Sequence, residues 1–207
     1  MSFEVDVSRR LGATTIAARF AADTGLTALF GPSGAGKTSL LNMVAGLLRP
    51  DSGRIVVDGE ALFDSEAGID VPPERRRMGY VFQDVRLFPH MRVRANLLYG
   101  HRLARPEHRW IDLDDTVAFL GIGHLIDRWP RTLSGGEAQR VAIGRALLSG
   151  ARFLLMDEPL ASLDMQRRAE IMVVIERVRD ELRLPILYVS HDRAEVERLA
   201  TTVIALG

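Results

Sequence analysis

The chain of 207 residues contains no cysteine. Disulfide bonds and thiolate metal sites are therefore excluded, and a metal ion would need oxygen or imidazole ligands. The sequence also lacks any apolar run near the roughly 18 residues that a membrane-spanning helix needs, and the N-terminal segment MSFEVDVSRR has no apolar signal-peptide core. We therefore expect a water-soluble protein that stays in the compartment where it is made.

The chain has no excess charge of either sign, because 27 lysine and arginine residues balance 27 aspartate and glutamate residues. Without an overall positive field we expect no nucleic-acid partner. Lysine itself is nearly absent, since Lys37 is the only one in an arginine-rich chain. Lysine carries a compact point charge on a thin stem, whereas arginine is a planar fork, so this exception indicates a site that requires lysine.

Lys37 lies in the glycine-rich segment GPSGAGKT, which matches the phosphate-binding pattern G-x-x-x-x-G-K-S/T. The segment follows the strand-like TALF and precedes the helix-like SLLNMVAGLL, the context that the pattern requires. A dinucleotide-binding G-x-G-x-x-G pattern is excluded because its third glycine would have to stand where Ser39 stands. The motif predicts that nucleotide phosphates are bound by Gly31, Pro32, Ser33, Gly34, Ala35, Gly36, Lys37, Thr38 and Ser39.

Strand-like and helix-like segments alternate through the rest of the chain. GRIVVDGEALF is typical of a hairpin that turns at Asp58-Gly59, and MGYVFQD, RFLLMDEP, LPILYVSH and TTVIAL are typical of strands. Residues 85 to about 150 are helical and rich in arginine. We predict one α/β domain with a P-loop NTPase core, made of a mostly parallel sheet with flanking helices and a small antiparallel β region. The core would comprise residues 1–84 and 151–207, with a helical subdomain inserted at about 85–150.

Polar side chains stand at the ends of several predicted strands. Any one of them alone would be an ordinary solvated or structural residue, but strand ends are where α/β sites lie, and we expect these ends to converge. Asp157 and Glu158 point to opposite sides of their strand and must differ in role. Asp157 would hold Mg²⁺, usually through a water, and Glu158 would be the general base for the attacking water. Gln83 would bind the metal or its water, and His191 would donate a hydrogen bond to the γ-phosphate.

The segment LSGGEAQR has two interpretations. Ser134 followed three residues later by Glu137 predicts a capping box at the start of a helix. However, Gly135 and Gly136 fall in the first turn, where each glycine costs up to about 1 kcal/mol relative to alanine. A bare glycyl backbone at a helix N-terminus exposes N–H groups to a bulky anion, so phosphate binding is the alternative.

The order of these motifs along the chain resembles that in the ATPase subunits of ABC transporters, and the resemblance covers nearly the whole chain. It identifies the Walker A motif as Gly31–Thr38, the Q-loop residue as Gln83, the signature as Leu133–Glu137, the Walker B motif as Phe153–Glu158, the D-loop as Ala161–Asp164 and the switch histidine as His191.

The resemblance implies an ATPase that uses ATP and Mg²⁺ and works as a homodimer. The two copies would pack head to tail, so that ATP held by Lys37 of one copy meets the signature of the other. It implies metal ligands Thr38, Gln83 and Asp157; catalytic groups Lys37, Gln83, Glu158 and His191; and nucleotide contacts from Ser134, Gly135, Gly136 and Asp164.

The resemblance also implies a membrane partner. In DVRLFPHMRVRANLLYG the apolar residues Leu87, Phe88, Met91 and Val93 alternate with arginines. They could form an ordinary subdomain core, or a groove that receives a cytoplasmic helix of an integral-membrane permease near Leu87–Met91. The second interpretation implies a peripheral protein at the cytoplasmic face of the inner membrane that serves a substrate-binding protein indirectly.

The segments YVFQDVRLFPHMRVRANLLYGH, PRTLSGGEAQRVAIGRALL and DEPLASLD resemble most the ATPases of bacterial molybdate importers. Tungstate, sulfate, sugar and other importers remain alternatives, because this subunit would not touch the cargo. Two features differ from the family pattern. Leu11 or Arg10 stands where many members have an aromatic residue for adenine, and the chain stops at Gly207, where such importers usually continue into a regulatory domain that we expect to be absent here.

Three other classes of protein are alternatives, and the sequence argues against each. A P-loop small-molecule kinase would have no use for LSGGE. Non-transport ABC switch ATPases of the DNA-repair type carry a very long coiled-coil insertion, whereas the stretch between Thr38 and Leu133 is short and has no heptads. A nucleotide-gated binding module would not need Glu158, since binding alone requires no base.

Overall fold

The computed structural model describes residues 2–206, which form two compact units. Within the described residues, one comprises residues 2–76 with 183–206, and the other comprises Arg77–Leu182. In chain order the strands and helices are β1 (Phe3–Leu11), β2 (Thr14–Ala22), β3 (Leu26–Phe30), α1 (Lys37–Ala45), β4 (Ser52–Val57), β5 (Glu60–Asp64), β6 (Ile69–Asp70), β7 (Met78–Val81), α2 (Val93–Leu103), α3 (Leu113–Leu120), α4 (Gly135–Leu148), β8 (Phe153–Asp157), α5 (Met165–Asp180), β9 (Ile186–Ser190), α6 (Arg193–Leu199) and β10 (Thr202–Ala205).

The first unit contains the antiparallel sheet β2-β1-β4-β5-β6. Strand β1 buries Phe3, Val5 and Val7 on one face, as alternation along a strand requires. The predicted hairpin is confirmed: β4 and β5 pair through Val57 and Glu60. Its two-residue loop is Asp58-Gly59, with φ values of 48° and 77°, the left-handed pair that a tight hairpin turn requires.

The first unit also contains a parallel group in which β3 lies between β9 and β10. Strand β3 runs through Leu26, Ala28 and Leu29, all fully buried. A strand covered on both faces reads as a continuous apolar run, which is what these residues show. The edge of the group where β3 and β9 end carries the glycine-rich segment and His191, because these directly follow the two strands.

In the second unit, β7 and β8 pair in parallel, with Met78 opposite Phe153 and Val81 opposite Met156. Helix α4 contacts α2, α3, α5 and β7. The close approach is made at Gly144, which lies against Leu97 of α2 and Leu120 of α3. Helices α2, α3 and α4 fall within residues 85–150. The predicted division into a core and an inserted subdomain stays a prediction.

No helix within residues 2–206 is both long enough and apolar enough to cross a membrane.

Candidate functional site

The glycine-rich segment joins the end of β3 to the start of α1. Gly34 and Gly36 have φ values of 86° and 85°, so both need the left-handed conformation that glycine adopts without strain. A Cβ at Gly31 would overlap the carbonyl oxygen of Leu206, and a Cβ at Gly36 would lie 2.9 Å from the side chain of Ile16. Turns of this kind at a helix N-terminus form an anion-binding concavity. The local backbone therefore fits a phosphate group.

Lys37 opens α1 and is only 5% exposed. Its Nζ donates hydrogen bonds to the carbonyl oxygens of Gly31 (2.7 Å) and Pro32 (2.8 Å). The loop thus closes around a compact ammonium, a space that suits a point charge better than a planar guanidinium. Pro32, Ser33, Gly34 and Thr38 are exposed, while Ala35, Gly36 and Ser39 are half-buried.

His191 is the exposed residue that follows β9. A buried network fixes the chain on both sides of it. The Glu195 carboxylate accepts hydrogen bonds of 2.8 Å from the hydroxyls of Tyr188 and Ser190, and Ser190 Oγ accepts one from the backbone N–H of Asp192. Tyr188, Ser190 and Glu195 were not predicted from the sequence. The sequence feature that could have indicated this network is the pair of hydroxyl side chains in the otherwise apolar strand β9.

Asp157 ends β8 and is 7% exposed. Burial, and secondly the negative charge of Asp157, raise the pKa of the Tyr80 hydroxyl on β7. Glu158 lies one residue beyond the end of β8 and is half-buried. Its φ is 42°, which is rare for a residue with a side chain. A turn after the strand, rather than alternation along it, therefore orients Glu158. Strained backbone of this kind often marks a functional residue.

Gln83 is exposed and follows β7. Beyond it, Val85 and Arg86 have φ values of 61° and 47°, an unusual pair of left-handed residues without glycine. The N–H and carbonyl oxygen of Phe88 bond to the buried side chain of Asn96 on α2. The turn is thus fastened to the helical part of the second unit.

The predicted permease-binding segment is only partly covered. Leu87, Phe88 and Met91 are half-buried, whereas Val93 is fully buried and belongs to the core. The Phe88 ring lies 4.5 Å from that of Tyr99, which is 43% exposed.

Helix α4 begins with the predicted capping box, which the structure confirms. Ser134 Oγ accepts from the N–H of Glu137 at 3.3 Å, and Glu137 Oε2 accepts from the N–H of Ser134 at 2.7 Å. The nearest neighbour of a Cβ at Gly136 would be Arg167, at an ordinary 3.6 Å, and that of a Cβ at Gly135 would be the flexible end of Leu163, at 2.9 Å. The fold of this unit therefore has room for alanine at Gly136.

Ser134 and Gly136 share one concavity with Asp164. Asp164 caps α5 by accepting from the N–H of Arg167 at 3.0 Å. The pKa of Glu137 lies below its usual range, chiefly because its carboxylate accepts a hydrogen bond from the Ser134 backbone N–H. The positive charges of Arg128 and His124 lower it to a smaller extent. The concavity measures about 390 Å³ and is lined by Ser134, Gly136, Glu137, Arg140, Asp164, Gln166, Arg167 and Glu170.

The metal ligands predicted from sequence are all oxygen donors: a hydroxyl at Thr38, an amide at Gln83 and a carboxylate at Asp157. Among the described residues, no group of three or more His, Cys, Asp or Glu side chains could hold a metal ion. A few oxygen ligands of this kind suit Mg²⁺, because proteins typically hold that ion with one or two carboxylates together with water and phosphate oxygens.

The chain is similar to known proteins along its length. A family model described as "ABC transporter" matches residues 21–161. The molybdenum import ATP-binding protein ModC of Mesorhizobium japonicum is 59% identical over 207 residues, covering 100% of this chain and 56% of that protein. ModC of Rhizobium meliloti is 57% identical over 206 residues, covering 100% of this chain and 58% of that protein. The chain thus spans little more than half the length of these curated relatives.

Two solved structures are similar along the whole chain. One is cbiO1 from Clostridium perfringens, part of the ABC transporter complex cbiONQ, with a TM-score of 0.82, 29% identity and coverage of 99% of this chain and 84% of that one. The other is an ATP-binding cassette in a dimeric post-hydrolysis state bound to ADP and Pi, with a TM-score of 0.77, 23% identity and coverage of 100% and 94%. They confirm the predicted P-loop NTPase fold.

Proposed function

Because the chain belongs to the ABC transporter family, we propose that it binds ATP with Mg²⁺ and hydrolyses it to drive import of an oxyanion, molybdate. The observation that carries the nucleotide proposal is the loop that closes on the ammonium of Lys37. Identity of 57–59% along the whole chain to proteins named for molybdenum import supports the choice of cargo. The alternatives are the ATPase of a sulfate, sugar or other importer and a non-transport switch ATPase.

The glycine-rich segment and His191 would bind the phosphates. The backbone N–H groups of Gly31–Ser39 would surround them, and Lys37 would exchange its bonds to carbonyl oxygens for the β- and γ-phosphate oxygens. The Thr38 hydroxyl would be a metal ligand. His191, held between the bonded residues Ser190 and Asp192, would donate a hydrogen bond to the γ-phosphate.

Asp157, Gln83 and Glu158 would act on the metal ion and on the attacking water. Asp157 would hold Mg²⁺ through a water, and Gln83 would bind the metal or its water through the amide oxygen. Glu158, oriented by its left-handed backbone, would hold the attacking water and take its proton. When bound, Mg²⁺ would neutralise charge that develops on the phosphate oxygens.

The signature would act on the nucleotide of a second copy of the chain. Ser134 and the N–H groups of Gly135 and Gly136 would contact the γ-phosphate held by the partner's Lys37, and Asp164 would lie beside the same nucleotide. The space for a Cβ at Gly136 supports this proposal, because the fold of one copy does not explain the glycine. Completion of the site in trans would make ATP the link between the copies and hydrolysis their release.

The transport partners would be integral-membrane permease subunits, bound at the partly exposed segment Leu87–Met91. This would place the protein at the cytoplasmic face of the inner membrane, with a substrate-binding protein acting indirectly.

The test is the molar mass in solution of Glu158→Gln, measured by light scattering over a concentration series with and without Mg-ATP. We expect retained ATP binding, no turnover and an ATP-dependent doubling of mass. The control is Glu107→Gln, since Glu107 is exposed and its ion pair with Arg105 is long, at 4.0 Å. Unchanged hydrolysis in Glu158→Gln would remove Glu158 from its proposed role. Mass that never doubles would contradict the dimer for this chain.

The cargo is tested separately, by hydrolysis in a complex reconstituted with permease and substrate-binding protein. Stimulation by molybdate supports the proposal, and stimulation by sulfate alone selects the alternative importer.

A further inference from the structure

Arg145 is a partly buried arginine of α4. Burial lowers the pKa of its guanidinium. Among the residues that the structure describes, no carboxylate lies within ion-pair distance of it. A charge withdrawn from water without a counter-ion costs free energy and adds no stability, so its presence calls for another explanation.

The guanidinium of Arg145 is bound instead by the turn that follows Gln83. Nη1 donates to the carbonyl oxygen of Arg86 at 2.7 Å, and Nη2 donates to that of Val85 at 3.2 Å. The same group lies 5.3 Å from the centre of the Phe88 ring. One side chain thus contacts three of four consecutive residues, using the forked geometry that lysine lacks.

The turn held in this way is strained. Val85 and Arg86 both have positive φ, and for a β-branched residue such as Val85 this is a genuine outlier. Such a conformation persists only where the surroundings impose it. The bonds from Val85 N–H to Phe82 and from Arg86 N–H to Asp84 are local to the turn. Arg145 is the contact to these two carbonyl groups that comes from α4.

Helix α4 connects this contact to the signature. It begins directly after Ser134, and Arg145 lies eleven residues further on, which corresponds to about 16 Å of helix. A helix of this length moves as one element, so a displacement of its N-terminus also moves the guanidinium.

We propose that Arg145 is a positioning residue that holds Val85 and Arg86 in the left-handed conformation. It thereby links the signature helix to Gln83 and to the segment Leu87–Met91. The link to catalysis rests on the role proposed for Gln83, whereas the holding of the turn does not.

The first test is amide hydrogen exchange of the nucleotide-free chain carrying Arg145→Met. The amides of residues 85–88 are expected to exchange about tenfold faster or more, because two bonds from a charged donor are lost. The matched control is Arg177→Met. Arg177 also donates to a carbonyl oxygen, that of Phe119 at 2.7 Å, and lies 4.2 Å from its ring centre. It pairs with Glu181 as well, and none of its hydrogen bonds or ion pairs within the described residues goes to the turn. Exchange at residues 85–88 that matches the wild type would overturn the proposal.

The second test separates holding from general stability. Val85→Gly in the Arg145→Met background removes the strain at the β-branched position of the turn, so exchange at residues 86–88 should return part of the way toward the wild-type rate. No recovery would contradict the proposal. If Arg145→Met does not fold, Arg145→Lys replaces it, since lysine keeps the charge but cannot bridge two carbonyl groups.

The third test is the Mg²⁺ dependence of hydrolysis. Arg145→Met should raise the Mg²⁺ concentration for half-maximal rate several-fold, with the affinity for ATP measured without turnover unchanged. Equal effects in Arg177→Met would contradict a specific role. If the wild-type chain does not hydrolyse ATP, the proposed function fails, while the exchange experiment still decides the role of Arg145.

Discussion

Ser134 and Glu137 each satisfy a backbone N–H of the other at the start of α4. The helix therefore begins securely without help from the two glycines between them. These glycines have space for a larger residue or need only a flexible neighbour to move. Within one short segment, Ser134 and Glu137 thus stabilise the start of the helix, while the glycines between them are left for the proposed phosphate contact.

Gly136→Ala is expected to leave the protein as stable as the wild type or slightly more so. Alanine is favoured in a helix by up to about 1 kcal/mol, and its Cβ would meet Arg167 at an ordinary distance. A gain of that size corresponds to roughly 2–4 °C in Tm for a chain of this length. ATP-dependent dimerisation and hydrolysis should nevertheless fall, because the methyl group would stand where the partner's phosphate is proposed to bind.

The matched control is Gly144→Ala in the same helix. Its Cβ would lie 2.8 Å from both Leu97 and Leu120, so we expect a lower Tm. If Gly136→Ala lost stability as Gly144→Ala does, the glycine would be structural and the proposed phosphate contact would lose its main support.

Lys37→Arg is expected to abolish tight ATP binding, although the substitution keeps the positive charge. The ammonium fits between two carbonyl oxygens at 2.7 and 2.8 Å, and a guanidinium is wider. Calorimetric titration should show affinity reduced at least tenfold, which is about 1.4 kcal/mol. Lys37→Met serves as the comparison without charge; an arginine variant that bound ATP as the wild type does would contradict the requirement for a point charge.

Arg76→Met is expected to destabilise the chain by roughly 3 kcal/mol, since several buried carbonyl groups would lose a charged donor. Arg76 is 0% exposed and donates to the carbonyl oxygens of Met43 and Val44 in the last turn of α1, and to that of Val71. Chemical denaturation measures the loss. Arg75→Met, at an exposed neighbouring position, should have little effect.

Glu137 should make stability depend on pH in the acid range. Its pKa in the folded chain lies below the ordinary value of 4.5, first because its carboxylate accepts the Ser134 N–H. A lowered pKa means that the contribution to stability is present above pH 4.5 and is lost as the pH falls through the folded value. The difference in unfolding free energy between wild type and Glu137→Gln should therefore shrink from pH 7 to pH 4. Glu107→Gln is the control, and a difference independent of pH would contradict this assignment.

Much of the fold could be predicted because its signals are local. The glycine-rich segment, the Asp58-Gly59 turn and the capping box of Ser134 and Glu137 each depend on a few neighbouring residues. Turn geometry and helix capping are decided over two to four positions, and the structure confirms the hairpin and the capping box. The P-loop class followed from the order of these segments.

The hairpin of β1 and β2 was not predicted, although Phe3, Val5 and Val7 alternate along it. Nor did the sequence distinguish Arg76 and Arg145 from the other arginines of the chain. Carbonyl oxygens that bind them belong to residues remote in sequence, 33 and 32 positions away for Arg76 at Met43 and Val44, and up to 60 positions away for Arg145.

The sequence by itself determined the elements and the types of residue that carry phosphate chemistry, because both depend on local backbone preference and on side-chain chemistry. Only the tertiary structure decided that Glu158 is oriented by a left-handed turn, that the fold leaves room beside Gly136, and that Arg145 holds the turn after Gln83. These features arise where distant segments pack together, and which segments meet is a property of the whole chain.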